Sequence, residues 1–489
     1  MRVPLLSAAA VLALASPAAA QTVGSPPPPI PGSPLAIGVE EFTGAPAEAD
    51  PHRRIRIPRH PYMARNQASN IHNDAYQSDT YNRAGPLGDG ISSTSGLFFR
   101  ECASVTFDSR GRIVGVCVGL DRPVLAVLDR VTFEPLGTMS LPPRQASTTP
   151  FQSFAGGGYF YLDNRDRAVV PTSDRHVLIV KVKTDGSLAT ASDRDLTAVV
   201  PSGDQVIAVM PDWSGRIWFA TTDGVVGYAA RRGKRVVAID TGEPIGNSFA
   251  VDETGGVFIV TDGALYRFEA RRKGIRTVWR MPYPNVGAVK PGQTQAGSGT
   301  TPTLMGRRYV AITDNADPMA IRVYQRRRRA RGRRLVCRKP VFEQGAGSTD
   351  QSLIGARRAI VVENNYGYTG PSSTLNGATT SPGLERVDLD RDGRGCHRVW
   401  QSEERAPSVV PKLSLGSGLV YTYTKPERDD IVDAWYLTAL DFDTGETVWR
   451  ALAGTGFGYN NNFAPVSIAS EGTAYVGVLG GLTRFTDAH

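Results

Sequence analysis

From Cys102 onward the chain repeats itself: strand, turn, strand, turn, strand, with Gly in the turns. The copy at 206–228 places PDWSG and TDG between runs of Val, Ile, Phe and Ala, and the copy at 248–268 places DETGG and TDG in the same positions. A third copy, at 468–485, ends the chain. A period of ~40 residues holding about four short strands is the signature of a β-propeller. No stretch with helical periodicity competes with it. The expected fold is therefore all-β, a single β-propeller of four-stranded antiparallel blades. Units beginning near residues 102, 157, 205, 247, 301, 351, 411 and 464 make it eight-bladed, with seven blades as the alternative. The eighth unit has only three strands, so a strand from the N-terminal region, at 96–100, is expected to close the ring and remove an open sheet edge.

The last repeat also carries a likeness to known proteins. ALDFDTGETVW (439–449) followed by GTAYVGVLGGL (472–482) resembles the repeat of the pyrroloquinoline-quinone-like (PQQ-like) β-propellers. The resemblance implies a fold and leaves the activity open. Quinone-dependent dehydrogenases of that superfamily typically carry adjacent cysteines near the cofactor. This chain has no Cys-Cys pair, so PQQ itself is not expected.

Residues 1–20 read as a signal peptide, with Arg2, an apolar run at 5–14 and Ala18-Ala19-Ala20 ahead of Gln21. That run is shorter than the ~20 apolar residues of a membrane span, and no later segment supplies one. Residues 21–35 form a Pro-rich spacer, SPPPPIPGSP at its centre. An irregular N-terminal arm (36–100), carrying the closing strand, is expected to cross the propeller, which occupies 101–489. The expected product is secreted, extracytoplasmic, soluble and monomeric.

Four cysteines in an exported chain suggest two disulfides. CASVTFDSRGRIVGVC reads as a hairpin turning at Ser109-Arg110, with Asp108 facing Gly111, and this register sets Cys102 opposite Cys117. Cys337 and Cys396 are left to pair. No C-x-x-C spacing supports a metal site instead.

Propeller strands run alternately up and down, from the axis outward. The loop into each first strand and the loop between the second and third strands thus share one face. That face is expected to gather Asp314, Asn315, Gln351, Glu363, Asn364, Asn365, Asn461 and Asn462. Carboxylates and amides converging there could ligate a hard cation. The placement is similar to that in calcium-dependent propeller lactonases and phosphotriesterases, which implies Asp314, Glu363 and Asn364 as Ca²⁺ ligands. Asp314 and Glu363 would then be the catalytic groups and the other amides would bind the ligand, a small polar molecule. The opposite face gathers 231–235, 271–273 and the RRRRARGRR run at 326–334. Its basic rim explains much of the net charge of +8 and reads first as solvated turns of an Arg-rich chain, with an anionic polymer as the alternative partner. Asp388–Gly393 starts like a calcium loop, but Val399 stands where the bidentate Glu should be, and an ordinary Asp-Gly turn is the better reading. His176 and His397 are isolated and read as structural.

No G-x-S-x-G elbow, H-E-x-x-H helix or complete P-loop occurs. Two classes of function remain. One is a Ca²⁺-assisted hydrolase of lactonase type. The other is a non-catalytic scaffold or binding propeller, resembling the outer-membrane assembly propellers built from the same repeat. A quinone-dependent dehydrogenase stands behind both.

Overall fold

A computed structural model describes residues 24–65, 67, 69–144, 151 and 153–488. The stretch read as a signal peptide and the first residues of the spacer lie outside the described residues. Eight antiparallel sheets ring one axis, and their first strands begin at Glu101, Tyr161, Val206, Ala250, Thr303, Ile354, Lys412 and Val466. Seven of the sheets have four strands. Blade 7 has six, because two short arm strands, Phe42–Gly44 and Thr80–Tyr81, add to its outer and inner edges. Innermost strands such as Val206–Pro211 are wholly buried, whereas outer strands such as Leu188–Asp195 are half exposed. The apolar core therefore lies between neighbouring blades.

The ring is closed by Ser92–Leu97, which pairs with Gly481–Thr486 as the outer strand of blade 8. This strand starts and ends earlier than the expected 96–100. Phe99 takes a φ of 53°, a left-handed turn that ends the strand and leads into blade 1 at Glu101.

Both disulfides form, Cys102–Cys117 and Cys337–Cys396. The first hairpin is one residue out of the expected register near its turn, where Phe107 faces Ile113. A bulge between Cys102 and Ser104 absorbs the difference and restores Cys102 opposite Cys117.

The turns between first and second strands show how the repeat holds itself. Asp108, Asp163 and Asp212 each accept backbone N–H groups two and four residues on. Such Asx turns are a local reason for Asp at these positions. Each also pairs with the Arg four residues on, at 2.7 Å (Arg112), 2.5 Å (Arg167) and 2.7 Å (Arg216). In blade 4 that position is Gly256, and Asp252 pairs instead with Arg326 of blade 5 at 2.6 Å. A Cβ at Gly256 would meet the Arg267 guanidinium at 2.8 Å, so the glycine makes room for the exchange.

The arm does not merely cross the ring. Residues 69–81 enter the central channel and follow its wall from blade to blade. Leu162 of blade 2 donates its N–H to Ser69, Val251 of blade 4 to Ala75, and Leu304 of blade 5 to Tyr76. Gly355 of blade 6 then donates to Ser78, and Leu413 of blade 7 to Asp79. Left-handed φ values at Asn73 (77°), Gln77 (55°) and Asp79 (50°) let so short a segment turn this tightly. An eight-bladed ring leaves a channel too wide for its own innermost side chains to fill. The arm fills it.

One buried ion pair locks the segment in place. Lys412, on the innermost strand of blade 7, donates from Nζ to Asp79 and, at 2.6 Å, to the carbonyl of Ile71. Both side chains are fully buried. Burial alone would push the Asp79 carboxyl up, but the charge of Lys412 and the contacts of His72 hold it below its usual range. Removing one partner of a buried pair leaves an uncompensated charge, at a cost of about 3–5 kcal/mol. Lys412→Met should therefore lower unfolding stability by about that much in denaturant titration. Adding Asp79→Asn should recover a large part of it, because no lone charge then remains buried. An equal loss in the single and double variants would contradict a charge-based lock.

Candidate functional site at the upper mouth of the axis

Above the arm, where the chain enters each first strand, the axis keeps a cavity of about 30 Å³. This is room for about one water molecule. Its floor is Ile71 and His72 of the arm, and its wall is supplied by the blades: Glu101 (blade 1), Tyr159 (blade 2), Asn247 (blade 4), Asp350, Gln351 and Ser352 (blade 6) and Asn462 (blade 8). The topology puts these residues together, since every one lies on, or just before, a first strand.

Burial favours the uncharged form of the two acids and the histidine of this cavity, while Arg144, which also lines it, lends a positive charge. Burial pushes the Glu101 carboxyl up to about 8, against the N–H of Asn462 at 2.7 Å and the charge of Arg144. Burial likewise pushes Asp350 up to about 7, although Thr294 donates its hydroxyl (2.7 Å) and N–H (3.2 Å) to Oδ2. Below these values each acid carries a proton and acts as a hydrogen-bond donor.

His72 lies with Nδ1 3.2 Å from both oxygens of Asp79 and 2.7 Å from Ser352 Oγ. Burial lowers its pKa despite Asp79, so the ring is neutral. With Nδ1–H directed at the carboxylate, Nε2 carries the lone pair, and that atom is buried without a hydrogen-bond partner. Ser, His and Asp thus meet, but not as a nucleophilic triad. Such a triad needs its serine at the nitrogen remote from the aspartate, whereas Ser352 shares Nδ1 with Asp79.

Outside the cavity, and sharing Phe151 and Phe463 with it, a vestibule of about 250 Å³ is lined by Thr294, Lys290, Gln293 and Tyr368. Thr294 joins the two spaces, since it faces the vestibule and holds Asp350. Tyr368 donates its hydroxyl to Asn462 Oδ1 at 2.9 Å.

Of the residues read from the sequence as a site, Gln351 and Asn462 line the cavity. The others are not among the lining of either space, because their polar atoms tie loops to strands. Asp314 accepts from Arg322 Nε at 2.6 Å and from the N–H of Ala320 at 2.8 Å. Glu363 is fully buried and accepts from Asn365 Nδ2 (3.0 Å) and Thr422 Oγ1 (2.9 Å), and burial raises its pKa well above normal. Asn315 donates to Asn285 and Ala288, Asn364 to Ala346 and Pro382, and Asn461 to Ala464 and Gly477. The oxygens of Asn364 and Asn365 accept backbone N–H groups of Ser348 and Asp350. With Asp314 ion-paired and Glu363 favouring its protonated form, this set does not fit a Ca²⁺ shell, which takes several free oxygen donors. A PQQ-sized group does not fit an axis that keeps about 30 Å³.

Sequence reading missed Glu101, His72 and Asp350. For the last two a signal existed. Asp350 sits inside the GSTDQ loop, and His72 inside the polar run at 70–74, which a plain surface arm would not require to be so consistently hydrogen-bonding.

The pKa shifts set a pH dependence. Asp350 and Glu101 move from 3.8 and 4.5 to about 7 and about 8 on folding, so the folded chain holds their protons more tightly. The stability they confer is full below about pH 4 and is lost as pH rises toward about 8. Asp350→Asn and Glu101→Gln cannot titrate. Their melting temperatures should gain on the parent's by a few degrees between pH 5 and 8. A gap that does not change with pH would refute the assignment of these two shifts.

No family model matches the sequence. An uncharacterized protein of Archaeoglobus fulgidus is 30% identical over 322 residues, which is 59% of this chain and 62% of that protein. The chain thus spans less than two thirds of that relative's length. The fold is similar to that of the quinohemoprotein alcohol dehydrogenase of Comamonas testosteroni, with a TM-score of 0.55, 10% identity, and coverage of 86% of this chain and 80% of that one. BamB from Moraxella catarrhalis is similar at a TM-score of 0.48 and 10% identity, over 77% of this chain and 94% of that one. These likenesses extend to the propeller fold alone.

Proposed function

We propose that this is an exported binding propeller whose upper mouth takes a small, neutral, hydrogen-bonding molecule such as a polyol or simple sugar. The observation that carries this reading is the pair of buried acids in the cavity wall that keep their protons and face an unpartnered imidazole nitrogen. Two carboxylic acids that can donate and an imidazole Nε2 that can accept surround the space, with the charge of Arg144 set against Glu101. A ligand hydroxyl fits the cavity, and its carbon frame fits the vestibule against Tyr368 and Phe463. At about 250 Å³ that vestibule is below the ~300–1,000 Å³ of sites for drug-sized ligands, which favours a small molecule.

Binding is favoured over hydrolysis because the channel is filled by residues 69–81 and Asp314 and Glu363 are engaged in loop-to-strand bonds. The N-terminal signal and the two disulfides support export.

Calorimetry of the mature protein against neutral polyols and sugars, with their phosphate and carboxylate analogues as controls, tests the reading. Neutral ligands should bind, and affinity should fall about tenfold per pH unit above about pH 7, as Asp350 loses its proton. Asp350→Asn, which keeps a donor, should hold its affinity to about pH 8, where Glu101 begins to lose its own proton. Preference for the charged analogues, or binding that ignores pH in the parent, would overturn it.

A further inference from the structure

The lower face carries a larger recess, about 1100 Å³, between the turns of blades 4 and 5. Eight arginines line it, against two carboxylates. The carboxylates are engaged from below. Arg326, 2% exposed, reaches Asp252 (2.6 Å), Glu253 (3.1 Å) and the Tyr76 hydroxyl (2.9 Å). Arg267, 1% exposed, takes Glu269 at 3.1 Å and donates to the Arg326 carbonyl. Arg326 therefore belongs to the fold, not to the exposed rim in which sequence reading placed it.

What is left above this floor is cationic and exposed. Arg276, Arg327 and Arg329 are exposed, and no carboxylate lies within ion-pair distance of them among the described residues. Arg328 and Arg271 share one acid, Glu269.

The turn that presents them is built, not loose. Arg334 donates to the carbonyls of Gln325 (2.7 Å) and Arg327 (2.8 Å), and Trp279 Nε1 also donates to Arg327 (3.2 Å). Gln325 donates to the carbonyls of Arg331 and Arg333, both at 2.9 Å, and accepts the N–H of Arg331. Seven like charges repel, and a chain free to do so would spread them. Here side chains clamp the carbonyls of the turn and hold the guanidinium groups together, which lowers the ordering cost of binding an anion.

We infer that this groove binds a phosphate polymer through its backbone charges. Guanidinium forks match phosphate oxygens in pairs. Among the described residues, none of the exposed large apolar side chains lies in the groove, which argues against insertion into a membrane. No aromatic ring lines it to stack a base, so inorganic polyphosphate and the phosphodiester backbone of a single-stranded nucleic acid should be bound alike.

Fluorescence anisotropy on the mature protein tests this with labelled polyphosphate, oligo-dT and poly-glutamate, and vesicle co-sedimentation tests anionic lipid. Both phosphate polymers should bind, with log K falling linearly in log salt at about −0.7 per phosphate engaged. Poly-glutamate should bind at least tenfold more weakly. Arg327→Ser with Arg329→Ser should lower affinity tenfold or more and flatten the salt slope, at unchanged melting temperature. Arg391→Ser with Arg394→Ser, which removes the same charge from an exposed turn of blade 6, should not. Equal losses in the two double variants, equal binding of poly-glutamate, or binding to vesicles alone would each overturn the inference.

Discussion

The Asp79–Lys412 pair decides what kind of propeller this is. Eight blades leave an open channel, and open channels in such rings are where ligands or water collect. Here the chain's own residues 69–81 line the channel, and their path is fixed by backbone bonds to successive first strands and by one ion pair with no exposure to water. An isolated charge could not remain there. The pair is thus both the reason the arm stays in and the reason it takes one path, since Lys412 supplies the charge that compensates Asp79 at that depth. His72 and Ser352 complete the shell around the carboxylate, and through them the arm becomes the floor of the upper cavity.

Filling the axis separates the two faces chemically. Above the arm, loops that lead into first strands crowd acids where water cannot reach, and Glu101 and Asp350 respond by keeping their protons. Below it, the short turns face solvent and arginines can accumulate at little cost, because their charges stay hydrated. The link between the faces is structural. Tyr76 of the arm donates to Glu253 at 2.5 Å and accepts from Arg326, so the same segment floors the upper cavity and braces the arginine groove.

The propeller was legible because its signals are local. Asp-Gly turns recur at near-constant spacing, and the turn residue sets the hairpin whatever lies elsewhere. Cys102–Cys117 was legible for the same reason, and the bulge beside Cys102 corrected a misjudged turn without moving the pair. The arm was not legible, because its contacts join residues far apart, with Asp79 and Lys412 separated by 333 positions. A lysine within the apolar run VVPKLSL was the available hint that a buried carboxylate must meet it. At Asp314 and Glu363 sequence reasoning met a real ambiguity. An acid at a strand end looks the same whether it holds a cation or a loop, and the deciding partners, Arg322 and Thr422, become visible only with the fold.

Hydrogen exchange followed by mass spectrometry, resolved over the arm peptides, tests the central claim most directly. If residues 69–81 are hydrogen-bonded within the channel, their protected amides open only with the ring and should exchange as slowly as the innermost strands, such as Val206–Pro211. Exchange of that segment within seconds, at the rate of the exposed turns, would show that the arm lies outside the axis and would contradict the account.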